Sequence, residues 1–129
     1  MKKIIALLSV AILATALLAL AADDAKPVLR PTQKLMQARK SWLASMNANL
    51  KTKQFEAVVK DADDLSAQAK QVADSQTNPL GKDLDMAISS LAKEISVAAV
   101  NQDSDTVKAK LGTIREKCSE CHTKIRDKQ

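Results

Sequence analysis

Residues 104–125, which read SDTVKAKLGTIREKCSECHTKI, decide the fold of this chain. Apolar side chains recur in this stretch at steps of four, three, four, three and four residues. They are Val107, Leu111, Ile114, Cys118, Cys121 and Ile125. This spacing is typical of an α-helix that turns one face to a core, and Asp103 or Ser104 can cap its first turn. The stretch therefore predicts an amphipathic helix with both cysteines on its inward side.

Three further segments share this helical period, over residues 31–51, 54–73 and 82–100. Pro31 opens the first of them, and residues 74–81, which include Pro79 and Gly81, form the clearest loop. No segment alternates in the way that a half-buried strand does. Four helices with short connections predict an all-α fold, an antiparallel up-down-up-down four-helix bundle.

The amino terminus has the pattern of a secretory signal peptide. Lys2 and Lys3 precede an apolar run over residues 4–20, and small residues end it at Ala21. An uncleaved anchor is the alternative, because the run is just long enough to span a bilayer. The acidic pair at 23–24 favours cleavage after Ala21. We therefore expect residues 1–21 to be removed and residues 22–129 to form one periplasmic domain without stable membrane insertion.

Cys118, Cys121 and His122 form a C-x-x-C-H run, the attachment signature of a c-type haem. Two thiols three residues apart on a helix can add to two vinyl groups of a haem, and the adjacent imidazole can then ligate the iron. These are the two cysteines and the one histidine of the chain. The alternatives are a thioredoxin-like redox pair, part of a zinc site, a simple disulfide, or small core residues. We expect one covalently attached haem c.

Composition excludes some functions and limits the core. The chain has 20 basic and 15 acidic residues, a formal net charge of +5, but no basic stretch interleaved with aromatics, so we expect no nucleic-acid binding. Trp42 and Phe55 are its aromatic residues, and a porphyrin would fill so thin a core. Gly112 inside the last helix costs up to about 1 kcal/mol relative to alanine, and close packing of a neighbouring helix is the expected reason.

An exported four-helix chain with C-x-x-C-H on its last helix resembles the class II c-type cytochromes, which comprise cytochrome c prime and its low-spin, methionine-ligated relatives. Cys118, Cys121 and His122 match the family's attachment motif. Arg126 matches an arginine that the family commonly carries near the haem propionates, whereas Ile125 stands where an aromatic residue is usual. The size is similar to that of the periplasmic four-helix b-type cytochrome. The resemblance implies haem bound within one end of the bundle, and some members of the family are homodimers, so a homodimer is possible here.

The second axial ligand of the iron is expected to be Met36. It shares a helical face with Leu43 and Leu50, and in an antiparallel bundle it lies at the level of His122. Met46 is ten residues further on, about 15 Å along the helix, which is too far from an iron beside His122. Met86 lies near the start of its helix, at the level of His122, but it is off the apolar face of that helix. Met86, or no sixth ligand, remains the alternative.

The sixth ligand determines the expected function. Histidine and methionine together leave no free position on the iron, which suits a small electron carrier that exchanges electrons with redox partner proteins and is not an enzyme. An open position would instead give a five-coordinate protein, similar to cytochrome c prime, that binds nitric oxide or carbon monoxide. A purely structural bundle is the third hypothesis. Basic residues around the predicted haem end either steer an acidic partner or form a solvated face. They are Lys34, Arg39, Lys40, Lys117, Lys124, Arg126 and Lys128, called here the basic ring.

Overall fold

A computed structural model of the chain describes residues 30–126. These residues form four α-helices: α1 (Pro31–Lys51), α2 (Phe55–Ser75), α3 (Pro79–Val100) and α4 (Ser104–Lys124). The described part of the chain contains no β-strand, which confirms the predicted all-helical fold. None of its helices is both long and apolar enough to cross a membrane. The predicted signal peptide lies outside the described residues.

The helix boundaries follow local capping chemistry. The predicted loop at 74–81 is wrong in extent, because α2 continues to Ser75 and α3 already begins at Pro79. Asn78 explains the early start, since its side chain accepts a hydrogen bond from the Gly81 N–H at 3.2 Å. Proline fits the first turn, where its missing N–H is not needed. Asp103 caps α4 as predicted, and its carboxylate accepts from the Thr106 N–H at 3.0 Å.

The helices pack around one aliphatic core. Each helix has two neighbours, through the pairs α1–α2, α2–α3, α3–α4 and α1–α4, which is consistent with a four-helix bundle. The inward face of α4 buries Val107, Leu111 and Ile114 completely, and Cys118 packs against the edge of the same core. Between α2 and α3, each of Ser66 and Ser89 donates its hydroxyl to the other's carbonyl oxygen at 2.9 Å. On α4 the completely buried residues therefore end at Ile114, one turn before Cys118.

Gly112 does not have the packing role expected from the sequence. A Cβ added at this position meets no atom within 4 Å beyond the glycine's own surroundings in the helix, so no neighbouring helix requires its absence. Gly112→Ala is therefore expected to raise the free energy of unfolding by up to about 1 kcal/mol, because alanine is the better helix former. Denaturant titration of the haem-loaded protein measures this change.

Gly81→Ala is the matched comparison, because its added Cβ would lie 2.9 Å from Nε2 of Gln76. We expect the gain at Gly112 to exceed any gain at Gly81. Equal effects at the two positions would contradict this account of Gly112.

Candidate functional site

A cavity of about 530 Å³ lies between α1 and α4, beyond the end of the core. Its volume is in the usual range for a small-molecule or cofactor site. Every residue that lines it comes from these two helices, which approach each other at few points. The lining residues are Met36, Gln37, Arg39, Lys40, Leu43 and Ala44 of α1 and Arg115, Cys118, Cys121 and His122 of α4. We call this space the cysteine cavity.

The helical period of α4 brings the motif to the cysteine cavity. One turn after the buried Ile114 comes Cys118, which is partly buried, and Cys121 and His122, also partly buried, follow it. Both cysteines are free thiols. Burial raises the pKa of the Cys118 thiol and likewise that of Cys121. Raised pKa values keep both thiols protonated at neutral pH, which does not favour the thiolate chemistry of a redox pair.

The three methionines of the described residues occupy different environments. Met36 is half-buried and lines the cysteine cavity with His122. Met46 is completely buried in the aliphatic core. Met86 on α3 is exposed over 39% of its surface and is not among the residues that line the cavity. The structure therefore brings Met36, and neither of the other two, to the same cavity as the motif.

A second cavity, of about 470 Å³, adjoins the same site. Met36 and His122 line both cavities, and the other residues of the second one are Arg30, Thr32, Gln33 and Arg126. Arg126, the position matched to the family's propionate arginine, is thus brought close to Met36 and His122 but does not line the cysteine cavity. Its side chain is exposed. The cysteine cavity and the second cavity therefore meet at Met36 and His122.

Arg39 is buried, which corrects its assignment to the basic ring. Only 6% of it is exposed, and its Nη1 lies 2.7 Å from Oδ1 of Asp85 on α3. Its Nε donates to Oε1 of Gln68 on α2 at 2.8 Å. Sequence reasoning missed this cluster, although a signal exists: Arg39 falls between Met36 and Leu43 at helical steps of three and four.

Other members of the basic ring are partly neutralised. Lys117 and Lys124 both pair with the carboxylate of Glu120, at 3.2 and 2.6 Å. Lys40 of the basic ring, by contrast, is exposed at the cysteine cavity, and so is Arg115, which is not part of the ring. No ion pair is found for either residue within residues 30–126. The cavity thus combines an apolar interior with cationic side chains at its opening.

Two buried polar atoms of the cluster formed by Arg39, Gln68 and Asp85 have no hydrogen-bond partner among residues 30–126. They are Nη2 of Arg39 and Nε2 of Gln68, and both are enclosed by protein. Buried donors are almost always paired, so an unpaired guanidinium nitrogen on a residue that lines a cavity is unusual. This nitrogen has almost no accessible surface, so it does not itself face the cavity. The apolar walls, the imidazole and the thioether suit a large apolar group such as haem.

The ligand of this site is not indicated by a cluster of metal-binding side chains in the described residues or by a similar known protein. Among residues 30–126, no group of three or more His, Cys, Asp or Glu side chains is arranged to hold a metal ion. Comparison of the chain with protein-family models, curated proteins and solved structures gives no match.

Proposed function

We propose that this chain is a small exported c-type cytochrome that transfers electrons between redox partner proteins in the periplasm and is not itself an enzyme. Cys118 and Cys121 would hold one haem c through thioether bonds, and His122 and Met36 would ligate its iron. The single observation that carries the proposal is the cysteine cavity, to which the complete C-x-x-C-H motif and one methionine contribute side chains. The resemblance to the class II c-type cytochromes supports the same assignment.

The chain's own residues have separate roles in this proposal. The haem iron supplies one-electron chemistry when bound, and histidine with methionine as ligands raises its potential. Leu43 and Ala44 provide apolar wall, and the thiols of Cys118 and Cys121 provide the covalent attachment points. Lys40 and Arg115 lie exposed at the opening, where a partner protein can approach. Arg126 would contribute positive charge from the adjoining cavity.

The proposed topology is the antiparallel up-down-up-down bundle. Met36, near the start of α1, lines one cavity with His122, near the end of α4. Two neighbouring helices meet in this way when they run in opposite directions. The short connections after α1, α2 and α3 are also typical of antiparallel neighbours.

A gas-binding function is the second candidate, and the second cavity is the observation that favours it. This space reaches both Met36 and His122, so a diatomic molecule has room beside the iron if Met36 does not ligate it. Optical spectra of the ferric and ferrous protein, with and without carbon monoxide, separate the candidates. Low-spin bands that resist carbon monoxide support the electron carrier, and high-spin bands with ready binding support the gas binder.

Covalent haem attachment is the first test of the proposal. The protein exported with its signal sequence should keep its haem through acid-acetone extraction and denaturing electrophoresis, because two thioether bonds hold it. Ser119→Ala, inside the motif but without a role in attachment, should keep the haem equally well. Replacing Cys118 and Cys121 with alanine should release it. A pigment that extracts freely from the wild-type protein would contradict the c-type assignment.

A further inference from the structure

The Arg39–Asp85 ion pair is the one buried pair of opposite charges in the described part of the chain. Both side chains are more than nine-tenths buried, whereas the other ion pairs described are solvent-exposed to a much greater degree. With Gln68, the pair joins α1, α2 and α3. Burying two charges is costly, and well-packed apolar residues often serve stability equally well. Stability alone therefore does not explain the pair.

The pair lies within electrostatic range of the attachment site. Arg39 lines the cysteine cavity itself. After burial, the strongest influence on the pKa of the Cys118 thiol is Arg39, which lowers it, and Asp85 acts in the opposite direction. Asp85 lies 2.7 Å from Arg39, so a group bound in the cavity that Arg39 lines is within the field of both charges.

We propose that both charges of the Arg39–Asp85 pair act on the reduction potential of the iron, with Arg39 raising it and Asp85 offsetting that rise; this inference rests on the proposed function. Reduction adds one electron to the iron. A neighbouring positive charge stabilises the added electron and a neighbouring negative charge opposes it. Because both charges are buried, solvent screens them far less than it screens Lys40 or Arg115 at the opening. In the pair, Asp85 offsets part of the effect of Arg39.

Redox titration of three variants of the haem-loaded protein tests this proposal. Asp85→Asn should raise the midpoint potential, because Arg39 keeps its charge and loses its counter-ion. Arg39→Gln should lower it. The double variant, which leaves no buried charge, should return towards the wild-type value. Glu94→Gln is the matched control, because Glu94 lies on α3, as Asp85 does, but its ion pair with Lys110 of α4 is exposed. This variant should leave the potential unchanged.

A measurement without haem gives an independent readout. In a haem-free Cys121→Ala background, Cys118 is the one thiol, and the pH dependence of its alkylation reports its pKa. Asp85→Asn should lower that pKa, since it removes a charge that raises it and leaves Arg39 in place. Glu94→Gln should not change it. This arm needs no cofactor, so it separates a failure of the inference from a failure of the proposed function.

The outcomes are distinct. Opposite shifts in the two single variants, a double variant near wild type and a lowered Cys118 pKa in Asp85→Asn support the inference. An unchanged potential in Asp85→Asn, a double variant as shifted as a single one, or an equal shift in Glu94→Gln overturns it. A protein that takes up no haem contradicts the proposed function, and an unchanged Cys118 pKa then overturns the electrostatic inference as well.

Discussion

Replacing Met36 with alanine is expected to change the iron from low spin to largely high spin and to make it bind carbon monoxide. Met36 lines both cavities with His122, so removal of its side chain leaves open space beside the iron. His122 should stay in place, because the flanking thioethers at Cys118 and Cys121 hold the haem. Haem content should therefore be nearly unchanged. The reduction potential should fall, since methionine ligation raises it.

The other two methionines of the described residues provide the controls. Met86→Ala alters an exposed side chain, and it should leave the spectrum and the potential unchanged. Met46→Leu conserves the volume of a completely buried side chain, and it should cost less than about 1.5 kcal/mol with no spectral effect. If Met86→Ala opens the iron and Met36→Ala does not, the ligand comes from α3. If the wild-type iron already binds carbon monoxide, the gas-binding function replaces the electron carrier.

The helices could be predicted from the sequence because their apolar residues repeat with the helical period. Val107, Leu111 and Ile114 continue into the cysteines without a break, and the structure buries all three. The start of α3 was harder to predict. Pro79 and Gly81 suggest a loop, but Pro79 suits a first helical turn and Asn78 caps it. The same residue types, such as proline, can interrupt a helix or begin one. The ends of a helix are therefore harder to predict from sequence than its repeat of apolar residues.

The polar cluster beside the cavity could not be predicted from residue types. Arg39, Gln68 and Asp85 each occupy an inward position of their helices, but periodicity arguments count only apolar side chains. An arginine on a lysine-rich helix is therefore assigned to the surface. Its burial depends on partners 29 and 46 residues away, on two other helices. No local pattern encodes such a pairing, and only the packed bundle brings the three side chains together.

The candidate site could be predicted in part. The C-x-x-C-H motif identifies Cys118, Cys121 and His122 without any structure, because its chemistry is local. Met36 required an assumption about helix direction, since it is far from the motif in sequence. The structure adds the cavity that these side chains share and the second cavity beside Met36 and His122. The shape of these cavities depends on the distance between α1 and α4, and the amino-acid composition does not determine that distance.

Removing the haem should destabilise one end of the bundle far more than the other. A variant with Cys118→Ala and Cys121→Ala, produced without haem, should show a broad and weak thermal transition. Each 100 Å² of apolar surface that a bound haem buries contributes about 2.5 kcal/mol, so its loss removes several kcal/mol. Between Pro31 and Ser45 of α1, Arg39 is the one buried residue, and its contacts with Asp85 and Gln68 hold that part of the helix. The turns that precede Arg39 have no buried residue, so a bound haem would be their main support.

Amide hydrogen exchange locates the effect. The turns of α1 that precede Arg39 and the last turns of α4 should lose protection, because residues of both line the cysteine cavity. The parts of α2 and α3 around Ser66 and Ser89 should keep theirs, since these buried serines hydrogen-bond across the two helices and neither lines the cavity. Ser119→Ala with haem attached is the control for a change within the motif. A cooperative transition near that of the haem-loaded protein, with uniform protection along all four helices, would contradict this expectation. It would show that the bundle folds fully without haem.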